Sequence, residues 1–229
     1  MTAHDLMIKT DHYLIKGGKL SKEQRAETVS FLLAARDIPA VRCTDVPISD
    51  KRRVYPLFYI PPQNAGKKLK TILGQTPKTQ ILSANMYELE VLRILHLLAP
   101  DNREVTDMIK DTHKRLKTTC FGYMDDGVGE CFDASLVVLR FITATAQDET
   151  EWIRSRIDNY NRHYKDRERP WYPLWYYWLC LSELPRETAD SEILRHRDEM
   201  RRQYTVKRAP HPICPYILQN ILVKYPQYF

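Results

Sequence analysis

Glycine is scarce in this sequence, where it accounts for only 7 of 229 residues. This scarcity argues against glycine-rich phosphate-binding loops and against an all-β fold with many tight turns. Cysteine occurs 5 times, and no C-x-x-C pair is present, so the usual paired zinc motif is absent. An odd number of well-separated cysteines indicates a reducing compartment, in which cysteines beside apolar stretches behave as small hydrophobic side chains.

Long hydrophobic runs are also missing. The apolar stretch 136–145 contains Arg140 and is far shorter than the roughly 20 residues that a membrane-spanning helix needs. The first 16 residues are interrupted by charges and therefore lack the apolar core of a signal peptide. We therefore expect a protein without a membrane span, located in the cytoplasm.

The charge balance is mildly basic. The chain has 35 Lys and Arg against 29 Asp and Glu, which gives a net charge of +6 and a pI near 9.0. Such a balance permits binding to a polyanion without requiring it. The two C-terminal basic clusters, 162–169 and 195–208, are interleaved with acidic residues, as is typical of solvated helix faces. Nucleic-acid binding is therefore disfavoured.

The first 80 residues are rich in proline and follow no single period. A helix is predicted over Asp5–Lys16, before a Gly-Gly pair. Ser21 followed by Gln24 is a capping-box pattern, which predicts a second helix that runs to about Arg36.

Two further elements are predicted in this region. Residues 54–60 form either a short edge strand or, because of Pro56, an ordered extended loop. A basic helix is predicted over about 64–73. Residues 1–80 are therefore expected to be a helical, proline-rich segment packed on the remainder of the chain.

From residue 81 to residue 229 the sequence repeats an apolar helix followed by an amphipathic helix. A shift of 47 positions aligns Arg93 with Arg140 and Asp101 with Asp148. Each aspartate is expected to be the N-cap or a first-turn carboxylate of its amphipathic helix. The predicted helices are Ala84–Pro100, Asp101–Lys117, an apolar helix that begins at Ala134, Glu149–Lys165, Trp175–Leu184, Glu187–Tyr204 and Tyr216–Val223.

This alternation predicts the fold class. An apolar helix must be covered on every side, whereas a striped helix covers one face and leaves the other in water. Stacked antiparallel hairpins therefore place the apolar helices in an inner layer and the striped helices outside. We predict an all-α protein in which residues 81–229 form one globular array of helical hairpins.

The linker between the first two hairpins carries a resemblance. Phe121-Gly122, the Gly127 to Gly129 loop, Asp133 and the apolar helix that follows stand in that order. This stretch resembles the repeat of the α/α-toroid superfamily, which includes terpenoid cyclases and protein prenyltransferase β-subunits. The resemblance covers about one repeat and implies a curved array or partial α/α toroid. The D-x-D-D motif of the cyclases and the complete zinc-site spacing of the prenyltransferases are absent.

The same linker holds the candidate catalytic groups, which are four carboxylates and a thiol within nine residues. In toroids, the loops before inner helices line the cavity mouth, so this set would bind zinc or magnesium or act as acid and base. The alternative is a turn followed by a helix cap, in which the carboxylates complement a helix N-terminus. The candidates are Asp125, Asp126, Glu130, Cys131 and Asp133, of which Cys131 and Asp133 are the weak candidates for a metal.

Arg93 and Arg140 are the first pair of candidate ligand-binding residues. They occupy equivalent places in successive apolar helices, and a buried guanidinium needs a carboxylate or phosphate partner. They either hold an anionic ligand or form an ion-pair ladder between repeats, with Glu88 and Glu90 as partners.

Trp175 and Tyr176 are the second pair. They belong to a set of six aromatic residues between positions 171 and 178. In a toroid cavity such rings would line an apolar pocket, whereas in a plain bundle they would fill the core.

Two functional classes follow from these patterns. The preferred one is a helical-repeat binding or scaffold protein, without a cofactor, whose concave groove takes a peptide or an apolar small molecule. The alternative is an enzyme that resembles prenyltransferases or terpenoid cyclases, with a metal or acid site in the 120–135 loop. In that case Asp125, Cys131 and Asp133 would contact the metal or substrate.

Overall fold

The computed structural model describes residues 1–37, 55–61, 68–124, 131–146, 148–165, 173–205 and 209–229. Regular structure within these ranges is helical, which confirms the all-α class. The α-helices are α1 (Ala3–Ile15), α2 (Lys22–Ala34), α3 (Gln80–Leu98), α4 (Arg103–Leu116), α5 (Phe132–Thr145), α6 (Thr150–Lys165), α7 (Leu174–Glu183), α8 (Arg186–Thr205) and α9 (Cys214–Lys224). Cys120–Met124 form a π-helical turn, and Pro226–Tyr228 form a short 3₁₀ helix.

Capping side chains define the starts of several helices. Ser21 and Gln24 form the reciprocal capping box that the sequence predicts for α2, although that helix ends at Ala34. At α4 the predicted cap is wrong, because Asn102, not Asp101, accepts a hydrogen bond from the Val105 amide over 3.2 Å. The asparagine stands three residues before that amide, which is the distance that an N-cap side chain reaches.

The segment before α3 is irregular where a basic helix was predicted. Residues 68–73 are not helical, and residues 62–67 lie outside the described ranges. Carbonyl groups of this segment accept hydrogen bonds from neighbouring helices: Leu69 from Ser83 over 3.0 Å, and Lys70 from His4 over 2.8 Å. These tertiary bonds replace the internal hydrogen bonds of a helix.

Residues 55–61 form an irregular loop with bends, not an edge strand, and residue 54 of the predicted segment lies outside the described ranges. The amides of Phe58 and Tyr59 donate to Glu88 Oε2 over 2.5 and 3.2 Å. The Tyr59 hydroxyl donates to the Leu32 carbonyl over 3.0 Å and thereby attaches the loop to α2 as well. Side-chain acceptors on helices thus satisfy a backbone that has no strand partner.

The odd-numbered helices contact one another in sequence order. Helix α3 packs on α1 and α5, α7 packs on α5 and α9, and α9 also contacts α1. The even-numbered helices α2, α4, α6 and α8 each pack on the helix that precedes them. Among the described residues, one hydrophobic core runs from Met7 in α1 to Leu218 and Ile221 in α9, so the N-terminal helices share the core of the helices after residue 80. None of the helices in the described ranges has the length and apolar character needed to cross a bilayer.

Candidate functional site

The two arginines predicted from the sequence to need buried partners meet at one buried cluster, which we call the central cluster: Asp11, Arg93, Arg140 and Glu183. These side chains come from α1, α3, α5 and α7. Arg93 donates from Nη1 to Asp11 Oδ1 over 3.0 Å and from Nη2 to Glu183 Oε1 over 2.7 Å. Arg140 donates to both Asp11 oxygens over 2.5 and 3.0 Å, and to both Glu183 oxygens over 2.9 and 2.7 Å.

The central cluster is balanced in charge, with two guanidinium groups and two carboxylates. Asp11 and Arg140 are each 1% exposed, and Glu183 reaches solvent with 24% of its side chain. Burial alone would raise the pKa of Asp11, but the charges of Arg140 and Arg93 outweigh it and lower that pKa to about 2. Asp11 is therefore ionised at neutral pH. One expectation from the sequence was that the two arginines hold an anionic ligand. In the structure they donate to protein carboxylates instead.

The predicted partners of the arginines were wrong. Glu88 pairs with Arg115 of α4 over 3.0 Å, and Glu90 accepts a hydrogen bond from the Tyr176 hydroxyl over 2.9 Å. The arginines instead use Asp11 and Glu183. Glu183 is 90 positions from Arg93 in the sequence, and Asp11 is 82 positions from it. Short-range spacing carries no signal for partners at such a separation.

Tyr176 lies in the core beside the central cluster. It is 1% exposed, and its hydroxyl donates to Glu90, which is 2% exposed. Burial raises the pKa of Glu90 to about 7, although the charge of Arg140 lowers it. Burial, and then the nearby Glu90 carboxylate, raise the pKa of Tyr176. The hydrogen bond between Tyr176 and Glu90 is that of a buried polar pair, as the core-packing alternative predicts.

The aromatic set around α7 divides between core and periphery. Tyr177 is fully buried and stacks on Tyr160 of α6 with ring centroids 3.5 Å apart. Trp175 is partly exposed and packs edge-on against Trp178 at 4.9 Å. Trp171 and Tyr172 lie outside the described residues. Of the two predicted ligand-binding aromatics, Trp175 therefore keeps the more accessible surface.

A second buried arginine cluster joins Asn85, Glu88 and Arg115, and we call it the loop cluster. Arg115 donates to Asn85 Oδ1 over 2.6 Å and to Glu88 Oε1 over 3.0 Å. The other Glu88 oxygen accepts the loop amides of Phe58 and Tyr59. The pKa of Glu88 is raised overall, because the effect of burial exceeds the lowering by the charge of Arg115 and by the hydrogen bonds from the loop amides. This cluster fastens residues 55–61 to α3 and α4.

The linker that carries the catalytic candidates is described at its two ends. Asp125, Asp126 and Glu130 lie outside the described residues. Cys131 immediately precedes α5, and Asp133 lies in the first turn of that helix. Within the described ranges, no three His, Cys, Asp or Glu side chains are grouped to hold a metal ion.

The other end of the linker brings an unexpected neighbour to Cys131. The Sγ atoms of Cys120 and Cys131 are 3.4 Å apart. This proximity was missed from the sequence, where the five cysteines show no close pair.

Besides a cavity of about 730 Å³ between α1 and α2, two further cavities among the described residues lie away from these clusters. One, of about 350 Å³, lies between α1, residues 68–74 and His211, and His4 and His12 also line it. The His12 ring donates from Nε2 to the Ile72 carbonyl over 2.6 Å, so this histidine helps to fix the segment before α3. The sequence offered no signal for these histidines, because they come from opposite ends of the chain.

The second cavity is a groove of about 310 Å³ between α8, α9 and the C-terminal residue. Its floor is apolar, with Met200 1% exposed and Leu218 3% exposed. Arg201 lies at its edge, where one guanidinium nitrogen donates to the Tyr228 carbonyl over 2.9 Å. The lining residues are Met200, Arg201, Tyr204, Thr205, Leu218, Leu222 and Phe229.

Comparison with protein-family models, with curated proteins and with solved structures finds no match to this chain. The geometry of the described residues is therefore the basis for a functional proposal.

Proposed function

We propose that this protein is a helical-repeat binding protein of the α/α-toroid type, with an inner ring of odd-numbered helices and an outer layer of even-numbered ones. The contacts from α1 through α3, α5, α7 and α9 back to α1 support a ring that closes. The packing of each even-numbered helix on its predecessor supports the outer layer. Such an arrangement presents grooves between neighbouring helices.

One observation carries the choice of a binding protein over an enzyme: the central cluster occupies the place where four inner helices converge. Arg93 and Arg140 direct their donors at Asp11 and Glu183, which are themselves part of the fold. A substrate that needed these arginines would have to displace two hydrogen-bonded carboxylates, and one of them is 1% exposed. The arginines therefore serve the architecture, and ligands bind at the periphery.

The groove between α8 and α9 is the proposed binding site, and its occupant is an apolar small molecule that carries one negative charge. A volume of about 310 Å³ lies at the lower end of small-molecule pockets and is too small for a folded peptide segment. Leu218, Leu222 and Phe229 supply apolar contacts, and the guanidinium of Arg201 supplies a positive charge at the edge.

A fluorescent anionic probe tests this site. Anilinonaphthalene sulfonate combines apolar rings with one sulfonate, and its emission rises in apolar surroundings. We expect saturable binding to the folded protein with one site per chain. Leu222→Asp places a carboxylate in the groove and should abolish that binding, because it adds charge repulsion and removes apolar surface.

Val223→Asp is the matched control. Val223 is the next residue of α9, is 75% exposed and is not part of the groove lining. This variant should bind the probe as the parent does, and circular dichroism should show both variants equally helical. Equal loss of binding in the two variants, or absence of saturable binding to the parent, would contradict the proposed site.

The enzyme alternative rests on a different observation, namely that Cys131 and Asp133 flank the start of α5 in the order that the resemblance implies. It would place zinc or magnesium at the 120–135 loop. Native mass spectrometry of the freshly purified protein tests it. A stoichiometric metal that is lost in Asp133→Ala would favour this alternative, and a metal-free parent would contradict it.

A further inference from the structure

Cys120 and Cys131 bring two sulfur atoms together at the ends of the linker. Eleven positions separate them in the sequence, and their Sγ atoms are 3.4 Å apart. A disulfide bond is about 2.05 Å long, so the two sulfur atoms need to approach by only about 1.4 Å. A cysteine Sγ moves by more than this distance when its side chain rotates from one staggered rotamer to the next.

The backbone on each side of the pair is held by core packing. Phe121, next to Cys120, is 1% exposed, and Phe132, next to Cys131, is 2% exposed. Gly122 continues the π-helical turn so close to the preceding helix that a Cβ there would overlap the Leu116 carbonyl oxygen. Phe121, Gly122 and Phe132 therefore hold the backbone beside each of the two sulfur atoms.

The other two described cysteines have different surroundings. Cys180 and Cys214 are buried, whereas Cys120 and Cys131 are each partly accessible to solvent. Burial raises the pKa of Cys180, and it raises the pKa of Cys214 to about 12. The Cys180 thiol also donates to the Leu136 carbonyl over 3.5 Å. Reagents in solution therefore reach the linker pair before the buried pair, because thiol reactivity follows exposure and ionisation.

From this geometry we propose that Cys120 and Cys131 form a reversible intramolecular disulfide, a modification site independent of the proposed groove. The co-reactant is a low-molecular-weight disulfide. One cysteine thiolate attacks it, forms a mixed disulfide and releases one small thiolate. The second cysteine thiolate then attacks the protein sulfur of the mixed disulfide and releases the second small thiolate. The protein loses two electrons and two protons, and the co-reactant is reduced to two thiols.

The oxidised form ties the π-helical turn to the start of α5. The crosslink reduces the conformational freedom of the unfolded chain. We therefore expect the oxidised protein to melt about 5 °C or more above the reduced protein.

The test uses the full chain with Cys43→Ser, so that every remaining cysteine lies in the described part of the structure, in buffer that contains a chelator. The protein is equilibrated in glutathione mixtures of increasing oxidised fraction, quenched with acid, alkylated with a maleimide and weighed intact. We expect two alkylatable thiols to disappear in one step, with a mass loss of two hydrogen atoms and no glutathione adduct. Peptide mapping should then join Cys120 to Cys131.

Two single variants distinguish pairing from general reactivity. Cys120→Ser and Cys131→Ser should each lose the intramolecular bond, carry at most one glutathione, and show the same melting temperature in reducing and oxidising buffer. The proposal fails if the parent stays fully reduced, carries glutathione on both cysteines, or crosslinks through Cys180 or Cys214. It also fails if the oxidised parent melts at or below the reduced parent, because the bond would then distort the fold.

Discussion

The central cluster and the loop cluster both pair buried arginines with carboxylates, but the residues they join are separated by very different distances in the sequence. In the central cluster, two arginines and two carboxylates connect α1, α3, α5 and α7 across up to 129 positions of sequence. In the loop cluster, Arg115 and Glu88 connect neighbouring helices to the irregular residues 55–61. The first arrangement fixes how helices α1, α3, α5 and α7 meet. The second gives acceptors to a backbone that has no regular hydrogen-bond partner.

This difference shows why charged residues occur inside apolar helices of this protein. A buried arginine costs desolvation free energy, which is recovered only where its partners are well placed. Arg140 recovers this free energy through carboxylates on two helices that are remote in sequence. Arg115 recovers it through a carboxylate on the neighbouring helix. The central cluster is therefore a tertiary feature, whereas the loop cluster acts within one hairpin and its adjoining loop.

Removing Arg140 should give the largest effect, since it breaks the central cluster and leaves its carboxylates undercompensated. We expect Arg140→Met to lower the free energy of unfolding by about 3–5 kcal/mol, measured by urea denaturation. Arg103→Met is the matched control, because the Arg103–Asp107 pair is 4.0 Å apart and its side chains are 96% and 68% exposed. That control should change stability by less than about 0.5 kcal/mol. Equal, small losses in both variants would contradict the role assigned to the central cluster.

The pH dependence of stability separates Asp11 of the central cluster from Glu90, which lies beside it. In the folded protein the pKa of Glu90 is raised to about 7 from an ordinary value of 4.5. The folded state therefore binds more protons than the unfolded state between pH 4.5 and pH 7, and this group's contribution to stability falls as pH rises through that window. The expected change is on the order of 2–3 kcal/mol.

Asp11 has the opposite sign. Its pKa is lowered to about 2 from 3.8, so its contribution is present above pH 3.8 and is lost as pH falls towards 2. Urea denaturation at a series of pH values measures both effects. Glu90→Gln should flatten the decline between pH 4.5 and pH 7 and leave the acid limb unchanged. An unaltered profile in that variant would show that Glu90 is not the group responsible.

Glu88→Gln should have a smaller and more local effect. The amide keeps one acceptor but loses the charge that Arg115 and the loop amides address, so we expect a loss of about 1–3 kcal/mol. Hydrogen exchange should become faster at the Phe58 and Tyr59 amides and stay unchanged in α5. Uniformly faster hydrogen exchange through α5 would show that the loop cluster also supports the odd-numbered helices, a role assigned here to the central cluster alone.

Short-range patterns in the sequence predicted the helices well. The capping box at Ser21 and Gln24 is formed, and the alternation of apolar and striped helices corresponds to α3 through α8. These features depend on residues three or four positions apart, where side chains meet along one helix. The irregular segment 68–73 was missed because tertiary hydrogen bonds from Ser83 and His4 determine it.

The site features were harder to predict because they join distant residues. The sequence marked Arg93 and Arg140 as buried cations that need partners, but it did not identify Asp11 or Glu183. A search for acids on the buried faces of other predicted helices would have identified Asp11 as a candidate. Cys120 and Cys131 are 11 positions apart and belong to different elements, the π-helical turn and the start of α5, so no helical period relates them.

A double-mutant cycle between Asp11 and Arg140 tests most directly whether the central cluster holds the odd-numbered helices together. Asp11→Asn and Arg140→Gln, alone and combined, are compared with the parent by urea denaturation. We predict that the two changes are non-additive, with a coupling free energy of at least about 1.5 kcal/mol, because each side chain is the buried partner of the other. Additivity within about 0.5 kcal/mol would contradict the account, since it would mean that the two helices do not depend on this ion pair.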